Sequence, residues 1–127
     1  MKTIFTGLFL GLILTVNISD AQHLEKVWQT TCDLKTPESV LYDQESDLIY
    51  VSNIDGDPSQ KDGNGFISIL NSDGSVKNLQ WIKNLDAPKG LAIFKGKLYV
   101  ADIDKLVEID IEKGKVIKKY DAPGAVF

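Results

Sequence analysis

Beyond residue 21 the chain contains short apolar runs cut by polar turn residues, with no stretch that repeats its apolar positions every 3.6 residues. The runs are rich in Val, Ile, Leu, Tyr and Phe, and Gly, Asp, Asn and Pro separate them. That pattern predicts strands. They fall at Glu25–Thr31, Ser39–Tyr42, Leu48–Asn53, Gly65–Leu70, Val76–Ile82, Leu91–Phe94, Lys97–Asp102, Lys105–Ile111 and Val116–Tyr120. Turns are predicted at Asp43–Asp47, Ser72-Asp73-Gly74, Lys95-Gly96 and Lys113-Gly114, and in the last three Asp-Gly or Lys-Gly supplies the positive φ of tight hairpins.

The runs recur in order. Pro37-Glu38-Ser39-Val40-Leu41-Tyr42 leads into Leu48-Ile49-Tyr50-Val51-Ser52-Asn53. Pro88-Lys89-Gly90-Leu91-Ala92-Ile93-Phe94 leads into Leu98-Tyr99-Val100-Ala101-Asp102. A third strand before a Gly turn and a fourth strand complete each unit, and Asp121-Ala122-Pro123 repeats Asp86-Ala87-Pro88. Repeated four-stranded units of a few tens of residues predict an all-β fold of β-propeller type. A lone four-stranded sheet leaves two apolar faces bare and needs a neighbour on each side. The expectation is therefore an N-terminal fragment of a larger ring. Residues 37–127 would form two blades and the start of a third, and residues 22–36 an N-terminal strand and lead-in. The Glu25–Thr31 strand is expected to latch the ring as the outer strand of the last blade. A small complete β-sandwich is the competing architecture.

Residues 1–21 read as a signal peptide: Lys2, an apolar run from Ile4 to Val16, then Ser19-Asp20-Ala21 as the cleavage site. The run is short for a membrane span, although an uncleaved N-terminal anchor is the alternative. The mature chain is expected to be exported, periplasmic or extracellular, with no stable membrane span after cleavage. A net charge of −4 without a basic patch excludes nucleic acid as a partner. A single cysteine, Cys32, rules out an internal disulfide and reads as a small buried apolar residue. The single histidine, His23, leaves no Cys/His zinc set.

With the repeat laid out, the chain resembles the six-bladed propellers of the SMP-30/gluconolactonase class and, more loosely, NHL-repeat proteins. The residues that carry this are Pro37 to Asp43, Leu48 to Ile54, and Tyr99-Val100-Ala101-Asp102. The resemblance implies a central channel with a divalent cation such as calcium, held by a first-blade Glu and by Asn and Asp of later blades. Glu38 is the one ligand that can be matched. In that class the cation serves lactone hydrolysis.

Several residues are candidates for chemistry. Glu38 and Lys89 follow the Pro that opens each unit, so both would lie near one channel mouth, Glu38 as a metal ligand and Lys89 in ligand binding. Asn53 and Asp102 are equivalent. They read as structural acceptors for the backbone N–H groups of the following turn, or alternatively as ligand-binding side chains. The loop Ile54–Gly65 is long only in the first unit. Its Asp55, Asp57, Asp62 and Asn64 are oxygen donors for a cation, but the spacing does not match an EF-hand. Long loops also carry recognition. Tyr50 and Tyr99 are expected in inter-blade packing, and Trp28 and Trp81 half-buried, with sugar stacking as the alternative. No phosphate loop or G-x-S-x-G elbow occurs. Two functions follow: a non-enzymatic propeller binding a small molecule or protein, or a metal-dependent lactone hydrolase.

Overall fold

The computed structural model describes residues 24–30 and 33–125. The predicted signal peptide, His23 and Cys32 lie outside the described residues. The described chain is all-β. Its strands are β1 (Pro37–Asp43), β2 (Leu48–Asn53), β3 (Gly65–Asn71), β4 (Val76–Leu85), β5 (Pro88–Phe94), β6 (Lys97–Asp102), β7 (Lys105–Asp110) and β8 (Lys115–Asp121). They form two antiparallel four-stranded meanders, β1-β2-β3-β4 and β5-β6-β7-β8.

Turn chemistry sets the hairpins. Lys95 (φ 48) and Gly96 (φ 71) both take the left-handed conformation, which a two-residue turn between twisted strands requires. At the β1–β2 turn, Asp43 accepts from the Glu45 N–H (3.1 Å) and the Ser46 hydroxyl (2.6 Å). At the β3–β4 turn, Asp73 accepts from the N–H (2.8 Å) and hydroxyl (2.6 Å) of Ser75.

Period-two alternation then decides what each face buries. One face of the first sheet (Tyr50, Ile67, Ile69, Ile82, Leu85) shares a core with one face of the second (Leu98, Val100, Val107, Ile109). Leu41, Trp81, Leu91 and Ile93 pack at its margin. Each aliphatic side chain so enclosed contributes about 1.5–3 kcal/mol relative to exposure. The opposite face of the first sheet buries Ile49, Val51 and Leu70 under Leu34.

The two sheets repeat in register as well as in order. Leu91↔Val100 and Ile93↔Leu98 in the second sheet correspond to Val40↔Val51 and Tyr42↔Ile49 in the first. Val107 and Ile109 likewise correspond to Ser68 and Leu70.

The structure departs from the sequence expectation at the N-terminus, where residues 24–30 form no strand. A strand requires a ladder with a neighbouring strand, and residues 24–30 belong to neither of the two described sheets. A side chain fixes it instead, since the Trp28 ring sits over Gly74. Tyr50 enters the inter-sheet core at 1% exposure, and Tyr99, at the matching register position, lies half-buried on the outward face of the second sheet beside Glu108.

Candidate functional site

The candidate residues gather at the end of the sheets where β1 and β5 begin. The long loop between β2 and β3 is folded across this end and fastened to the second sheet. Lys61 Nζ lies 2.6 Å from Asp104, in the β6–β7 turn. The Gly63 N–H donates to Asp86 (3.2 Å), and Lys89 Nζ donates to Pro58 O (3.0 Å) and Ala87 O (3.3 Å). The Lys61 ammonium, with a further contribution from Lys105, holds the Asp104 carboxyl below the usual carboxylate range. Gly65 closes the loop against Pro88, whose Cδ would lie 2.3 Å from an added Cβ.

This arrangement sorts the predicted candidates. The amine of Lys89 secures the loop backbone. Glu38 is exposed, and its carboxylate accepts from the Ser39 hydroxyl (2.6 Å). Asp57 is engaged locally by the N–H (2.8 Å) and hydroxyl (2.5 Å) of Ser59, which depress its pKa, and Asp62 accepts from the Asn64 N–H (3.0 Å). Among the described residues no group of three His, Cys, Asp or Glu side chains comes together. The loop carboxylates therefore form local turns and do not converge on one point.

Asn53 and Asp102 are fully buried and bond backbone, as their position suggests, but the partner differs from the expected following turn. Each receives the segment that leads into its own sheet. Asn53 Oδ1 accepts from the Lys35 N–H (3.0 Å). Asp102 accepts from the Asp86 N–H (3.1 and 3.0 Å to its two oxygens) and from the Ala87 N–H (2.7 Å). These side chains lock the incoming chain to the end of the second strand.

Folding the loop down leaves a polar cleft of about 240 Å³, lined by Asp55, Gly63, Asn64, Phe66, Gln80, Lys83 and Asn84. The side chains of Asp55, Asn64, Gln80, Lys83 and Asn84 hydrogen-bond no other described residue. Gln80, Lys83 and Asn84 come from β4. Sequence reasoning missed them because a polar residue on an outer strand reads as ordinary solvated surface.

No known protein family, curated protein or solved structure matches the chain. Among the described residues no helix is long and apolar enough to cross a membrane.

Proposed function

We propose that the two sheets are consecutive blades of an exported β-propeller that binds a ligand or partner without catalysing its conversion. Repetition supports the architecture: two meanders with the same strand order and register stack face to face. The outward face of the second sheet supports it too, since Phe94 is 60% exposed there and Tyr120 38%. A further sheet would cover both. The observation that carries the binding reading is the cleft. The fastened loop brings Asp55 and Asn64 beside Gln80, Lys83 and Asn84 of β4, so amide, carboxylate and ammonium groups without partners in the described fold face one cleft. The fold fixes the backbone positions of these groups before any ligand arrives, and a ligand orders their exposed or half-buried side chains.

The test is ligand-observed NMR of the whole chain against neutral oligosaccharides and short polar peptides. The expected result is binding that disappears in the combined variant Asn64→Ala, Gln80→Ala, Lys83→Ala. Binding that survives this variant, or none to either class, would remove the cleft from the proposal.

A second reading rests on Glu38, whose exposed carboxylate accepts from the Ser39 hydroxyl and has a second oxygen that could ligate a cation together with groups of other blades. It predicts that calcium raises the thermal midpoint of the chain and that Glu38→Gln abolishes the rise. An unchanged midpoint at saturating calcium leaves the binding reading alone.

A further inference from the structure

Two departures of the first sheet from the second border the polar cleft. One is the β2–β3 connection, residues 54–64, where Ile103 and Asp104 alone join β6 to β7. The other is β4, which has 10 residues where β8 has 7. The extra residues form bulges. Phe66 alone faces Lys83 and Asn84, and Ser68 alone faces Leu79, Gln80 and Trp81. At the matching end of the second sheet the pairs Lys105↔Asp121, Leu106↔Tyr120 and Val107↔Lys119 run without a shift. Consecutive residues of a regular strand point to opposite faces, and a bulge re-aims them. Lys83 and Asn84 therefore line one cleft, with Asn84 in the left-handed conformation (φ 59). Gln80 reaches it from the second bulge.

The groups so gathered discriminate among ligands. Asp55 comes from the loop and Lys83 from β4, and neither forms an ion pair with any described residue. A neutral ligand over the cleft strips water from both charges and returns no charged partner. A simple anion is repelled by Asp55, and a simple cation by Lys83. A ligand that carries both an ammonium and a carboxylate satisfies the two together. The amides of Asn64, Gln80 and Asn84 each offer N–H donors and a carbonyl acceptor, the complement of a peptide group. The aromatic residue of the lining, Phe66, is 1% exposed and presents no face to a sugar ring. At about 240 Å³ the cleft is smaller than the roughly 300–1,000 Å³ of drug-sized pockets, which restricts the ligand to about two amino-acid residues.

We propose that the cleft binds a free dipeptide, with its ammonium on Asp55, its carboxylate on Lys83 and its peptide group on the three amides. This rests on the cleft reading proposed above and selects, within it, the peptide over the oligosaccharide.

The experiment titrates the whole chain with glycylserine, its N-acetyl form, its C-terminal amide and the neutral disaccharide maltose, followed by ligand-observed NMR. Glycylserine should bind, and each blocked form should bind about 10- to 100-fold more weakly, the worth of one hydrogen bond between charged groups. Two variants assign the termini. Asp55→Asn should weaken glycylserine by a similar factor and leave the N-acetyl form unchanged. Lys83→Met should weaken glycylserine and leave the amide form unchanged. Neither side chain bonds a described residue, and asparagine tolerates the left-handed backbone of Asp55 (φ 49), so both variants should keep the parent circular dichroism. Blocked peptides that bind as well as glycylserine, or a variant that weakens all forms alike, overturn the pairing. The blocked-peptide comparison uses the unaltered chain and decides if a variant fails to fold. Maltose that binds where glycylserine does not, and is lost in the combined variant Asn64→Ala, Gln80→Ala, Lys83→Ala, overturns this inference and leaves the cleft reading standing. Binding of neither overturns both.

Discussion

Asp102 and Asn53 perform one task with different chemistry, and that difference predicts a specific pattern of stabilities. In the first sheet Asn53 Oδ1 accepts from Lys35, and its amide donates to Val51 O (3.1 Å) and Ser68 Oγ (3.0 Å). Every amide proton has an acceptor. In the second sheet the position of Ser68 is taken by Val107. No hydroxyl is present there, and an acceptor-only side chain, Asp102, receives Asp86 and Ala87. The residue at the end of the second strand is thus matched to its neighbour on the third.

Asp102→Ala strands two N–H groups, with Ala87 itself at 0% exposure. At about 1–3 kcal/mol for each orphaned buried group, the loss is about 2–6 kcal/mol. That is a large share of the roughly 5–15 kcal/mol that holds a domain folded. Asp102→Asn keeps an acceptor for Ala87 but brings in an amide with only the Val100 carbonyl to meet, which costs about 1–3 kcal/mol for the unmet proton. Val107→Ser alone loses buried aliphatic surface and is also destabilising. The informative variant is the pair. Asp102→Asn with Val107→Ser rebuilds the Asn–Ser contact of the first sheet, so its loss should be smaller than the sum of the single losses by about 1–2 kcal/mol. Urea unfolding followed by circular dichroism reads each value, provided the denaturant slope stays constant. Strict additivity would show that the Asn–Ser and Asp–Val pairings are independent and would refute the argument.

Two further outcomes are expected. Gly65→Ala should unfold the loop junction or the whole chain, because the new methyl meets Pro88 Cδ at 2.3 Å and the Asp86 carbonyl at 2.9 Å, neither of which is a flexible side-chain end; a thermal midpoint equal to that of the parent would contradict it. Asp110 accepts from Lys97 (2.6 Å) and the Lys113 N–H (2.9 Å), and these hold its carboxyl well below the usual carboxylate range. A depressed folded pKa gives stability that is complete above the unfolded value near 4 and is lost as pH falls through the folded value. The urea midpoint should therefore be level from pH 7 to about 5, fall below that, and fall less in Asp110→Asn.

Much of the fold is legible along the chain. Strand placement comes from the short apolar runs, and hairpin positions from Asp73-Gly74, Lys95-Gly96 and Lys113-Gly114, because side-chain alternation and positive φ are local properties. The repeat from Pro37 to Pro88 is legible for the same reason, and it gives Asn53 and Asp102 as equivalent before any coordinates are known. Long-range contacts are not legible in this way. The sequence places Glu25–Thr31 among the strands, since Val27 and Trp28 look like strand residues, but pairing is a property of two segments, and residues 24–30 belong to neither described sheet. The sequence also offers Asp55, Asp57, Asp62 and Asn64 as one donor set. Tertiary structure separates them: short-range bonds take Asp57 and Asp62 into turns, while Asp55 and Asn64 join Gln80, Lys83 and Asn84 from a strand more than a dozen residues away. Lys89 shows the same limit, because only the folded loop brings Pro58 O within reach of its ammonium. What a residue can form with its near neighbours is written in the chain; which distant group fills its remaining valences depends on how the sheets stack and where the loop comes down.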